Sequence, residues 1–125
     1  MNSIASNFVY LDPTGWYVDN DPNDITKFDG HEIYNVWIKL PLTTALKNQV
    51  CKTMPGCYNA SSEMVQKSID LKQNLSRYYA VSFCHEGTGC DSPYIVSLNA
   101  GPWTPITPDS LDDILAKYLK KYLIK

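Results

Sequence analysis

Four cysteines, two histidines and a scatter of aspartates are the residues of this chain whose types and spacing bear on chemistry. The cysteines form two pairs of identical spacing, Cys51/Cys57 and Cys84/Cys90, with no odd thiol left over. Each pair brackets a short loop carrying glycine, Gly56 in the first, Gly87 and Gly89 in the second. Structural zinc sites usually place their thiolates about two to four residues apart, so the longer gap, repeated twice, fits a four-thiolate site poorly, even with His85 beside Cys84. Disulfides are the reading the spacing favours. Four cysteines allow three connectivities, of which the two local bridges are the simplest. Each would contribute about 2 to 2.5 kcal/mol in the chain-entropy model and would need an oxidising compartment.

Nucleophilic catalysis requires a base within reach of a serine or cysteine, and only His31 and His85 are available. His31 follows a turn glycine, His85 falls in the second cysteine loop, and no G-x-S-x-G, H-E-x-x-H or P-loop pattern occurs. Asp19, Asp21, Asp24 and Asp29 stand among turn residues, where aspartate is expected to bond its own backbone rather than to act on a glycoside. Their spacing also misses the twelve-residue calcium loop and its closing glutamate. The sequence therefore predicts no catalytic set, no metal site and no cofactor.

The elements that must carry these residues are mostly strands. Asn7–Leu11 and Trp16–Asp19 flank the turn residues Asp12, Pro13, Thr14 and Gly15 and read as a hairpin. From Glu32 to Leu40 the alternation puts Tyr34, Val36, Ile38 and Leu40 on one face, with Asn35, Trp37 and Lys39 on the other. A helical turn over Thr43–Val50 opens a long excursion through the first cysteine loop. Alternation resumes at Val65, Lys67, Ile69 and Leu71 and continues through Arg77–Cys84, predicting two adjacent antiparallel strands, with a helix over 64–75 the alternative. The second cysteine loop then reads as a hairpin tip leading into Tyr94–Leu98. Trp103–Pro108 is a connector whose prolines exclude a central strand.

Leu111, Ile114, Leu115, Tyr118, Leu119, Tyr122 and Leu123 recur at helical spacing and form one apolar stripe. Thr107 before Pro108 is the first choice of N-cap, with Ser110 the alternative one turn on. Acids crowd the start of this helix and lysines its end, as the helix dipole favours. Residues 1–125 thus predict one α+β domain: a mainly antiparallel twisted sheet with the C-terminal helix across the Tyr34/Val36/Ile38/Leu40 face.

Composition narrows the function. With 44% hydrophobic, 19% charged and 12% aromatic residues the chain is globular. A net charge of -2 argues against a nucleic-acid partner. No apolar run approaches the length of a membrane span. The first seven residues lack the regions of a secretory signal, so the expectation is either a cytosolic protein or an exported one whose signal has been removed. Trp16, Tyr17, Trp37, Tyr78, Tyr79 and Trp103 cannot all point inward from alternating strands, and the surplus suits a binding surface.

The stretches Trp16–Asp19, Asp24-Ile25, Ile33–Lys39, Ser76–Tyr79 and Trp103–Ser110 resemble the surface-adhesin protein E-like family of exported bacterial proteins. The resemblance spans nearly the whole chain and contains no catalytic signature. It implies a sheet of about six strands under a C-terminal helix, export as a periplasmic protein or surface lipoprotein, and a homodimer. It also implies adhesion to host extracellular-matrix or plasma proteins. The cysteine placement and the excursion over residues 42–59 depart from the family pattern, so no binding residue is carried over. The expected function is a non-enzymatic, protein-binding module of the cell envelope. The alternatives are a self-associating structural subunit of the envelope and, third, a small enzyme.

Overall fold

The structure is a computed structural model that describes residues 8–28, 31–52, 60–85, 94–97 and 100–124, with the side chains of residues 50, 60, 84, 85 and 94–97 outside the description. Among the described residues, eight strands form one antiparallel sheet. They are β1 (Phe8–Tyr10), β2 (Tyr17–Asp19), β3 (Thr26–Lys27), β4 (Ile33–Pro41), β5 (Ala60–Asp70), β6 (Leu75–His85), β7 (Tyr94–Ser97) and β8 (Thr104–Pro105). The main path runs β1-β2-β4-β5-β6-β7, which matches the six strands expected, while β3 adds to β4 and β8 to β6. The two prolines of the 103–108 connector fit this arrangement, since β8 is a two-residue edge strand.

The long strands β4, β5 and β6 form the centre, with Ile38 opposite Val65 and Val65 opposite Val81. Alternation sends Tyr34, Val36, Ile38, Val65 and Ile69 to one face, where they meet Leu115, Ala116, Leu119 and Leu123 in a single buried cluster. Burial of this kind contributes roughly 1.5 to 3 kcal/mol for each large aliphatic side chain. The predicted pairing of helix and sheet face is therefore the core of the protein. A short helix, α1 (Thr44–Val50), starts where the helical turn was expected, with the Thr43 hydroxyl accepting from the Leu46 N–H at 3.2 Å.

The C-terminal helix, α2 (Leu111–Tyr118), begins later than the preferred reading. Ser110 is its N-cap, accepting from the Asp113 N–H at 3.3 Å. Thr107 and Pro108 belong instead to a tight turn in which Asp109 takes a left-handed backbone at φ 65°, a conformation that cannot continue a right-handed helix. After Tyr118 the helix widens into a π-helical turn over Leu119–Leu123, closed by the Ile124 N–H donating to the Leu119 carbonyl at 2.9 Å. That turn corrects the predicted stripe. A wider turn advances each residue by less than the roughly 100° of an α-helix, so Leu123 comes round over Leu119 and stays buried while Tyr122 falls short and faces solvent. No helix among the described residues is long and apolar enough to cross a membrane.

Candidate functional site

Among the described residues, the large hydrophobic side chains left exposed are Val9 (37%), Tyr10 (45%), Tyr78 (52%) and Tyr122 (54%). Three of them, Val9, Tyr10 and Tyr122, line one groove of about 530 Å³ between β1 and the C-terminal helix. Val9, Tyr10, Leu11 and Asp12 form one wall, and Ile114, Lys117, Tyr118, Lys121 and Tyr122 form the other. The tyrosines are held in ring contacts that fix their positions: Tyr10 lies 5.2 Å from Tyr17, and Tyr118 lies 4.8 Å from Tyr122. Burial, then the neighbouring Tyr122, raises the Tyr118 phenol above its ordinary range. The groove thus has aromatic walls and two lysines, Lys117 and Lys121, along it.

A second cleft, of about 730 Å³, gathers His31 with Lys27, Glu32, Asp70, Lys72 and Gln73. Here an imidazole and two carboxylates share one space. Asp70 is already engaged, its Oδ1 accepting the Lys72 and Gln73 N–H groups at 3.0 Å each across the β5–β6 turn. His31 is exposed, and among the described residues no hydrogen bond orients its ring toward a carboxylate. General acid–base catalysis needs such a bond, directly or through one water.

Asp19 and Asp21 perform the turn chemistry expected of them, while Asp29 lies outside the described residues. Asp21 Oδ1 accepts the Asn23 N–H at 2.9 Å, and Asp19 Oδ1 accepts the Asp21 N–H at 3.0 Å. Asp19 is nonetheless buried, at 1% exposure, and its Oδ2 meets no donor among the described residues. Burial first, then the adjoining Asp24 carboxyl, pushes Asp19 up from 3.8 to about 7. Lys67 is also buried, lying on the apolar face that its alternation predicts. Its ammonium pairs with Asp112 Oδ1 at 3.1 Å and sits 3.8 Å from the Tyr78 ring centroid, while the Ser76 hydroxyl donates to Asp112 Oδ2 at 2.5 Å. This network fastens the first turn of α2 to the sheet. Among the described residues no cluster of His, Cys, Asp and Glu is arranged to hold a metal ion.

Cys51 is buried at the C-terminal end of α1. Cys57 and Cys90 lie outside the described residues, as do the side chains of Cys84 and His85, so the two local bridges fall there too. Among the described residues no cysteine is a free thiol.

No family model matches the sequence, and no curated protein matches it. Solved structures do. The chain is similar to protein E of Haemophilus influenzae at TM-score 0.67 and 16% identity, over 94% of this chain and 86% of that one. The selenomethionine form of the same protein gives TM-score 0.67 and 14% identity, over 98% and 95% of the two chains. Protein E from a non-typeable strain gives 0.62 and 14%, over 100% and 86%. The chain has a protein E-like fold.

Within that protein E-like fold, the groove is built from residues the sequence did not single out. Val9 and Tyr10 read as ordinary residues of a hairpin strand, and Tyr122 as part of the buried stripe. Of the six aromatics picked as surplus, Tyr78 is exposed, while Trp16, Tyr17, Trp37, Tyr79 and Trp103 are partly buried. Trp103 is covered by the Arg77 guanidinium at 4.4 Å, a structural stacking contact.

Proposed function

We propose that this chain is an exported, non-enzymatic module of the bacterial cell envelope that captures another protein in the groove between β1 and the C-terminal helix. The observation that carries the reading is the gathering of Val9, Tyr10 and Tyr122 in one concavity, when the other exposed large hydrophobic among the described residues is Tyr78. Exposed apolar side chains scattered singly need no explanation, whereas a rimmed cluster marks a contact site. The paired cysteines support an oxidising compartment, in the periplasm or at the cell surface. The family resemblance supports host matrix or plasma proteins as partners. The His31 cleft lacks an oriented base, which favours binding over catalysis.

The test is a binding panel of matrix and plasma proteins against the wild-type chain and the Tyr10→Ala and Tyr122→Ala variants. Both side chains are about half exposed, so each variant should melt within a few degrees of wild type. Each should weaken capture about tenfold, the loss typical of an aromatic anchor. A panel with no binding above background, or binding indifferent to both variants, removes the reading.

A second reading, a self-associating envelope subunit, is favoured by the position of β1 at the end of the strand order. Sedimentation at micromolar concentration decides it, since a strict monomer leaves only the first.

A further inference from the structure

One side of the groove is a strand edge, and the hydrogen-bond phase of that strand determines what its edge presents. The Leu11 N–H donates to the Trp16 carbonyl at 2.9 Å, which makes Leu11 and Trp16 a hydrogen-bonded pair of the β1–β2 hairpin. Antiparallel pairs alternate, so Val9 and Val18 are the next hydrogen-bonded pair. Phe8 and Tyr10, opposite Asp19 and Tyr17, then direct their N–H and C=O groups away from β2. β1 ends the strand order, and among the described residues no other strand meets those groups. An extended edge of this kind accepts another strand.

The helix wall adds a charge preference. Lys117 and Lys121 lie on the groove with Asp12 as its one acidic lining residue. Lys121 joins no ion pair among the described residues, and the bridge from Lys117 to Asp113 leaves the lysine side chain 69% exposed. Between strand edge and lysines, the Val9, Ile114 and Tyr122 side chains supply an apolar floor.

Resting on the docking role proposed above, we infer that the occupant is an extended, acidic segment of another protein that adds to β1 as a new strand. Its main chain bonds the outward peptide groups of Phe8 and Tyr10. Alternate side chains point to opposite faces of the added strand, so the acidic set faces the helix wall and meets Lys117 and Lys121 while the apolar set lies on the other face, beside Tyr10 and Tyr17. Main-chain bonds give affinity that depends little on sequence, and the lysines select the charge.

The experiment compares Tyr10→Ala with Tyr10→Pro. Both lose the ring, but only proline removes the outward N–H, and it leaves the β1–β2 bonds intact because that N–H faces away from β2. The probe is a pool of short synthetic peptides alternating Glu with Val or Tyr, with a matched pool carrying Lys in place of Glu, read by fluorescence anisotropy. The Glu pool should bind Tyr10→Ala, bind Tyr10→Pro at least tenfold more weakly, and lose most of its salt dependence in a Lys117→Ala/Lys121→Ala double variant. The Lys pool should not bind. Should Tyr10→Pro fail to fold, Glu peptides N-methylated at every second residue make the same comparison on wild type, and only one of the two methylation phases should retain binding.

Equal binding to the Pro and Ala variants, equal binding of the two methylation phases, equal binding of both pools, or no binding of the Glu pool overturns strand addition. So does a wild-type dimer that Tyr10→Pro dissociates, since the edge is then filled by a second copy. Panel proteins that need Tyr122 but are indifferent to the Pro/Ala difference overturn strand addition while the groove stands. A panel with no groove-dependent binder overturns the docking role itself.

Discussion

Replacing Asp19 by Asn should stabilise the protein above neutral pH and leave it unchanged in acid. The carboxyl is buried, its Oδ1 takes the Asp21 N–H, and its Oδ2 meets no donor among the described residues. Burial and the Asp24 carboxyl beside it raise the folded value to about 7 from 3.8. Asp21 adds a smaller like-charge contribution. Between those two values the unfolded chain has released the proton and the folded chain still holds it. Stability therefore falls as pH rises from about 4 to about 7, then levels off. A shift of about three units corresponds to a ceiling of about 4 kcal/mol. Relaxation and water around the site offset part of that ceiling, so about 2 kcal/mol is the expected gain for the variant at pH 8. Asparagine keeps the oxygen that accepts from Asp21 and supplies an N–H₂ toward Asp24, so it stands in for the protonated acid.

Urea denaturation of both proteins at pH 4, 6 and 8 measures this. Glu63, whose carboxyl burial also raises, slopes both curves alike, so the difference between the proteins isolates Asp19. A variant as stable as wild type at pH 4 and about 2 kcal/mol more stable at pH 8 is the predicted result. A variant less stable by the same amount at every pH would refute the reasoning, because the carboxylate would then be a satisfied acceptor.

Asp112→Asn removes the partner of the buried Lys67 ammonium. It should cost about 2 to 3 kcal/mol by the same denaturation measurement, below the upper range for broken buried pairs because the Asp112 side chain is 21% exposed. Ser110→Ala deletes the N-cap of α2 and should cost about 1 kcal/mol, whereas Thr107→Ala, outside the helix, should cost little. Alkylation of the unfolded, unreduced protein should leave its cysteines unmodified, with mass added only after reduction; immediate modification of all four would remove the argument for an oxidising compartment.

Much of the scaffold is legible in the sequence because its two strongest periodicities face each other. Tyr34, Val36 and Ile38 alternate at period two, Leu115, Leu119 and their neighbours recur at helical spacing, and each apolar face needs the other for burial. The ion pair of Lys67 was half visible: a lysine in phase with Val65 and Ile69 must find a countercharge, and the acids at the start of α2 are the ones the packing brings to it.

What escaped sequence reasoning depends on departures from ideal periods. Tyr122 fits the stripe by spacing, and only the widened turn at Leu119–Leu123 takes it out. Pro108 fits a first helical position, and only the left-handed Asp109 places it before the helix. Asp19 looks like its neighbours Asp21 and Asp24, and its burial comes from lying in β2 rather than in the turn itself. The groove combines two of these hidden features with a strand edge, and edges become visible only when strand order is known.

Hydrogen exchange on the complex with whichever panel protein binds most tightly tests the docking groove most directly. Amide protection should rise over residues 8–12 and 114–122 and stay unchanged around His31 and residues 70–73. Protection confined to the His31 cleft, or to strands β5 and β6 with the groove untouched, would contradict the account.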